Sequence, residues 1–260
     1  MSMSVFGVAI IALLFLMAVF SAVWAWQLPN ENAGMIDPVW AFSLGVVALL
    51  YAWLGTGAEQ ARVLVGVGGA VWGCRLGWHL WRRNFGKPED ARYRKLREEW
   101  GAAAPRKMFG FFQLQAAVSM FLSIAFAVPS YRPESPSMFA MAAAVMLWGI
   151  AVVGEALADR QLRRFAADPA HRGKTCRVGL WRYSRHPNYF FECVHWLAYV
   201  PLAIGAPGAW LTLLPPVAMA WLLVKVSGVP MLEAHMRATR DDYAEYARTT
   251  SVLIPWPPRH

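Results

Sequence analysis

Seven apolar runs set the limits on what this 260-residue chain can fold into. They cover about residues 4–26, 38–54, 61–81, 108–128, 137–158, 188–206 and 209–229. A helix of about 20 apolar residues crosses a bilayer. The pattern predicts an all-α fold: a polytopic integral membrane bundle of about seven transmembrane helices, forming one domain over residues 1–260. The third run is broken by Gly66, Gly68, Gly69 and Gly73. Small residues let helix backbones approach closely in lipid, so these glycines read as packing positions.

Charge supports the same reading. Only 16% of residues are charged and 57% are hydrophobic, against about 25% charged in soluble domains. The net charge of +9 does not imply nucleic-acid binding, because the cations are clustered. The first is Arg62, and most others lie in two blocks, Arg82 to Lys107 and Arg160 to Arg185. Basic loops stay on the cytosolic side, which predicts an N-terminus outside and a C-terminus in the cytosol. The apolar stretch Val5 to Ala25 has no basic segment before it, so it reads as a retained first span rather than a cleaved leader. Cys74, Cys176 and Cys193 have no paired spacing, and neither a disulfide nor a zinc site is expected.

The densest chemistry lies in Gly179 to Glu192, GLWRYSRHPNYFFE. It combines Arg182, Arg185, His186, Asn188 and Glu192 with Tyr183, Tyr189 and other aromatics just before an apolar run. Guanidinium groups grip phosphate through paired bonds. Pro187 biases His186 away from helix and predicts a helix start at Pro187 or Asn188. Glu192 and His195 then sit one turn inside an apolar helix, where ionisable groups are expensive and mark function. The competing reading is an interfacial belt of aromatics and arginines.

Other polar groups fall at run ends. Asp37 opens the second run and reads either as an N-cap or as an acid near a substrate carbonyl. Arg75 and His79 share a helix face beside Trp72 in the third run, facing a polar cavity or reaching toward the interface. Asp159 shares a face with Glu155, and Arg160 and Arg163 follow it. Those arginines either enforce topology or meet phosphates. Lys174 lies in the next loop. In the tail, Glu233, Arg237 and Tyr246 could supply acceptors and cations to a dinucleotide. Only one E-x-x-H occurs where carboxylate-bridged iron sites use two, so no metal site is expected. No G-x-G-x-x-G follows a strand, which excludes a Rossmann site.

RxSRHPNYxxE (Arg182 to Glu192) resembles the C-terminal signature of the steroid 5-alpha-reductase-like membrane reductases, in their bacterial DUF1295 branch. WGxRLxxHLxxR (Trp72 to Arg83), ADxQLxxF (Ala158 to Phe165) and ExxMxxxxxxYxxYxxxTxxxIP (Glu233 to Pro255) are similar to further elements of that family. The most specific of these lie in the region of about residues 108–258. The resemblance implies an NADPH-dependent reductase of the bacterial inner membrane. It would reduce an activated C=C bond of a lipophilic, steroid-like or other lipid substrate taken from the bilayer. Asp159, Arg160, Arg163, Lys174, Arg182, Tyr183, Arg185, His186, Asn188, Tyr189, Glu192, Glu233, Arg237 and Tyr246 would bind the cofactor, and Asp37, Trp72, Arg75 and His79 would serve the chemistry. Vertebrate relatives place a Gln-Glu pair in span two and a Tyr in span three. Here Asp37 and Trp72 stand in those regions, and an indole cannot protonate an enolate. The core RHPxY also resembles the isoprenylcysteine and phospholipid methyltransferases, so an S-adenosylmethionine-dependent methyltransferase is the alternative.

Overall fold

A computed structural model describes residues 3–259. Every regular element among them is helical, as the apolar runs require. The contacts divide the chain into two compact units. One contains the residues up to Met141 together with Leu202–Pro215, and the other contains Ala142–Pro201 and the chain from Pro216 onward.

The first unit contains α1 (Val5–Asn30), α2 (Ile36–Leu54), α3 (Glu59–Asn84), α4 (Ala91–Trp100), α5 (Ala104–Leu122) and α6 (Ile124–Ser130). Ser4 caps α1 by accepting from the Gly7 amide at 3.2 Å. Val8, Ala12, Leu16 and Phe20 recur every four residues, so they share one buried face, and α1 packs on α5 and α2. Phe6, Ile10 and Leu14 stay exposed, as expected of a helix that faces lipid. The tightest seam joins α2 and α3. A methyl group on Gly73 would sit 2.7 Å from the Ala41 carbonyl oxygen and 2.9 Å from Gly45 Cα, and one on Gly66 would sit 2.8 Å from Ala52 Cβ. The glycines of the third run are therefore packing positions, with Gly68 and Gly69 also buried.

The turns of this unit sort to two ends. At one end Asn84 Nδ2 donates to the Gly34 carbonyl at 2.6 Å, Asn32 Nδ2 donates to Lys87 O at 3.0 Å, and the Ala33 amide donates to Glu89 Oε1 at 2.8 Å. At the other, Gly57 N donates to Ser130 O at 2.9 Å, Ala58 N to Arg132 O at 2.7 Å, and Tyr131 OH to Met3 O at 2.9 Å. The polar turn after α1 thus meets the basic loop after α3, and the cation-poor hinges meet one another.

The second unit contains most of α7 (Met138–Ala167), then α8 (Pro187–Leu197), the start of α9 (Val200–Ala203), most of α10 (Leu214–Trp221), a π turn at Leu222–Val226, α11 (Val229–Thr239) and α12 (Tyr243–Thr249). The Phe191 ring fills the notch left by Gly154, which joins α8 to α7.

Five segments are long and apolar enough to cross a membrane: Val5–Asn30, Ala33–Leu54, Ala91–Ser130, Met138–Ala167 and Ala209–Thr239. The expected count of seven is not reached among the described residues. Run 61–81 does form a 26-residue helix, α3, but α3 carries Glu59, Arg62, Arg75, Arg82 and Arg83. Run 188–206 divides into pieces of 11 and 4 residues, each well short of the roughly 20 a span needs.

The α2–α3 seam makes a direct prediction. Gly73→Ala pushes a methyl group against a backbone carbonyl and should cost about 1–3 kcal/mol, lowering the thermal midpoint in detergent. Gly110→Ala, whose new methyl meets nothing within 4 Å, should leave the midpoint unchanged or raise it. Equal midpoints for the two variants would contradict close packing at the seam.

Candidate functional site

The site is built from the backbone that enters α8. Pro187 occupies the first helical turn and His186 caps it in a non-helical conformation, φ −139° and ψ 62°. The preceding loop is held at several points. Trp181 Nε1 donates to the Ala158 carbonyl at 2.9 Å, and the Leu180 amide donates to Gln161 Oε1 at 2.9 Å. Gly179 turns with φ +58° directly beneath the Gln161 amide, where a side chain would not fit. Ser184 Oγ donates to Leu253 O at 2.8 Å and accepts from the His186 amide at 3.1 Å. The Arg185 amide donates to Ser251 O at 2.8 Å, and Tyr246 OH donates to the carbonyls of Trp181 and Ser184.

This scaffold turns Arg185 and His186 toward one carboxylate, Glu233 on α11. Arg185 Nη1 lies 3.0 Å from it and His186 Nε2 lies 3.1 Å from Oε1. Arg237 Nη2, one turn along α11, lies 3.5 Å from Oε2. Arg185 and Glu233 are each 8% exposed and His186 1%. Charges this deep persist only in pairs. The Tyr189 ring stacks on His186 at 5.3 Å between centroids. The Arg237 guanidinium lies 5.8 Å from the Tyr243 ring, and that of Arg177 lies 5.6 Å from the Tyr246 ring. Burial pushes both phenols above their ordinary range, helped at Tyr243 by the Glu233 charge and at Tyr246 by Cys176 and then Tyr243. Both are neutral hydroxyls at physiological pH. Burial would also raise the Asp242 carboxyl, but bonds from the Thr175 hydroxyl and amide, with the Arg177 charge, outweigh it and lower the pKa. Arg185 Nε and His186 Nδ1 are buried and bonded to no other described group.

Of the residues predicted from sequence, Arg185, His186, Tyr189, Glu233, Arg237 and Tyr246 are thus gathered into one cluster. Asn188 is half-buried, and its Oδ1 accepts from the Tyr189 amide at 3.1 Å. Glu192 is buried one turn further and accepts from Trp196 Nε1 at 2.9 Å. Asp159 is buried on α7 near Glu155. Arg160, Arg163, Lys174, Arg182 and Tyr183 are exposed. Ser184 and the C-terminal stretch around Ser251 were not anticipated, because their role depends on a pairing across about seventy residues.

Asp37, Trp72, Arg75 and His79 all lie in the first unit. The N-cap reading of Asp37 is corrected: Met35 is the N-cap of α2, and Asp37 lies inside the first turn. Its carboxylate accepts from Arg92 Nη2 at 2.6 Å and from Tyr93 OH, while Arg92 also grips Asp90 at 3.0 Å. Beside this clamp Arg97 bridges Gln27 Oε1 at 2.8 Å and Glu89 at 2.9 Å. Trp72 is fully buried, edge-on to Trp40 at 5.9 Å. Arg75 lines an open apolar groove with Phe42, Ala70, Val71, Cys74 and Trp78. His79, one turn along α3, is half-buried. Among the described residues, no group of three or more His, Cys, Asp and Glu side chains could hold a metal ion.

Removing one partner of a buried pair strands the other. Glu233→Ala should therefore destabilise the protein by about 3 kcal/mol or more. Arg237→Ala, whose side chain is 58% exposed, should cost under about 1 kcal/mol. Thermal unfolding of both variants in detergent checks the order, and a larger loss for Arg237→Ala would contradict the geometry.

No curated protein and no solved structure matches the chain. The model of one family, described as a protein of unknown function (DUF1295), matches residues 23–250. That range takes in both the Asp37 clamp and the Glu233 cluster, and the chain belongs to the DUF1295 family.

Proposed function

We propose that this integral membrane protein is an NADPH-dependent reductase that transfers hydride to the activated C=C bond of a lipophilic enone, steroid-like or other lipid. The observation that carries the reading is the Glu233 cluster. A single buried carboxylate faces Arg185, His186 and Arg237, while Arg185 Nε and His186 Nδ1 are buried with no bond from the described chain. Such a surplus of cationic and hydrogen-bonding capacity fits the phosphates of a dinucleotide. The likeness of RxSRHPNYxxE and the tail motif to the steroid 5-alpha-reductase-like enzymes supports the same choice.

Bound NADPH would supply the hydride. Arg185 and Arg237 would hold phosphates, with exposed Arg160, Arg163, Lys174 and Arg182 adding cations at the surface. Glu233 would accept from ribose hydroxyls while keeping Arg185 in place, and Tyr189, stacked on His186, would present a flat apolar wall. In the first unit, Arg75 and His79 are kept as donors for a substrate carbonyl oxygen. Asp37 orients the clamp with Arg92 and Tyr93 rather than serving as a free acid. The clustering of cations supports a cytosolic C-terminus and an N-terminus outside, in a bacterial inner membrane. That orientation would give the cluster access to cytosolic NADPH.

The test is direct binding of NADPH to the purified protein, with S-adenosylmethionine as competitor. Arg185→Ala and Asn188→Ala, each verified as folded by its thermal midpoint, should weaken NADPH about tenfold or more, the scale of a lost bond to a charged group. Unchanged affinity in both variants would overturn the proposal. Binding of S-adenosylmethionine without NADPH would replace it with the membrane methyltransferase reading.

A further inference from the structure

The segment beyond α12 packs back on the loop before α8. Residues 251–256 run beside the loop before α8. Besides the Ser251 and Leu253 bonds, the Trp256 amide donates to Tyr183 O at 2.9 Å. After bends at residues 252–254 of this strap, Pro255, Pro257 and Pro258 fix their own φ and bias the residue before each toward extended backbone. Ile254 is 64% exposed and Trp256 66%, while Val252, Leu253 and Pro255 are half-buried.

The level of the strap relative to the bilayer can be read from α7. The apolar run 137–158 spans about 33 Å at 1.5 Å per residue, enough for the hydrocarbon core. Its exposed large side chains are all apolar, from Met138 and Phe139 through Val145, Met146, Ile150 and Val153 to Leu157. After Leu157 the exposed residues become Arg160, Arg163 and Arg164. The headgroup boundary therefore falls near residues 158–161. Those are the residues that hold the loop, through Ala158 O on Trp181 and Gln161 Oε1 on Leu180. The strap is bonded to that loop, so Ile254 and Trp256 lie next to the boundary, among exposed Arg182, Tyr183 and Arg259. Tryptophan and tyrosine settle at this depth, and arginine meets anionic headgroups there.

We propose that Ile254 and Trp256 seat the C-terminal strap in the anionic lipid interface. Through the bonds at Tyr183, Ser184 and Arg185, the seated strap steadies the loop that presents Arg185 and His186. The lipid contact holds whether or not the Glu233 cluster binds a dinucleotide, and its test uses no cofactor.

The experiment places an environment-sensitive fluorophore on Ile254→Cys, and separately on Trp256→Cys, in full-length protein carrying Cys74→Ser. Both positions are exposed, so labelling fills no packed space. The protein is reconstituted in nanodiscs of phosphatidylglycerol and phosphatidylcholine. Val153→Cys serves as the lipid-facing reference and exposed Ala244→Cys as a comparison on α12. Labels on Ile254 and Trp256 should be quenched by shallow nitroxide lipid more strongly than the Ala244 label, as for interfacial aromatic positions, and should be shielded from aqueous iodide. Shielding should weaken when phosphatidylglycerol is omitted. Free quenching by iodide with no response to nitroxide lipid would overturn the proposal. Shielding from both quenchers would also overturn it, since a protein surface rather than lipid would then cover the strap.

Discussion

A carboxylate buried beside a guanidinium and an imidazole governs the second unit. Glu233 is on α11, while Arg185 and His186 sit at the mouth of α8, nearly fifty residues earlier. None of the three would be stable at such depth alone. Their meeting fixes where α11 must lie against the α8 entry, and so requires the loop before Pro187 to be held rigidly. The protein meets that requirement with backbone bonds: Trp181 and Leu180 to α7, Ser184 and Arg185 to the tail, Tyr246 to the loop carbonyls. Pro187 completes it by starting the helix where His186 must face away from helical geometry.

The first unit uses the same physics to a different end. Asp37 is flanked by Arg92 and Tyr93 much as Glu233 is flanked by Arg185 and Tyr243. In the Asp37 clamp Arg92 spreads its donors over both Asp37 and Asp90, and neighbouring Arg97 over Gln27 and Glu89. That network pins α4 to the last turns of α1 and the first turn of α2. Around Glu233, buried nitrogen atoms of Arg185 and His186 remain unbonded within the described chain. Gln27 Nε2 in the first network is likewise buried and unbonded, so the functional proposal rests on the guanidinium and imidazole character of the second cluster, which suits phosphate better than an amide does.

Much of this architecture was legible from local signals. Apolar length pointed to the helical class, the glycines of the third run marked α3 as a close-packing helix without naming its partner, and X-Pro sterics pointed to the start of α8. Local signals failed where tertiary pairing decides. Run 188–206 carries Glu192 and His195 and breaks after Leu197 and again at Ala203, a division that apolar length alone does not reveal. Asp37 lay near a helix start and read as a cap, but its partners come from α4, fifty-five residues on. Arg185, His186 and Glu233 were each singled out from motifs, whereas the serine and tail carbonyls that aim them carried no periodic signal.

The central claim is that the Glu233 cluster holds an anionic dinucleotide at the mouth of a membrane bundle. The most direct measurement is the mass of small molecules released on denaturing protein that was purified gently from its native membrane. The account predicts a nicotinamide adenine dinucleotide phosphate, retained by the unaltered protein. An adenosyl sulfonium compound in its place would contradict the account.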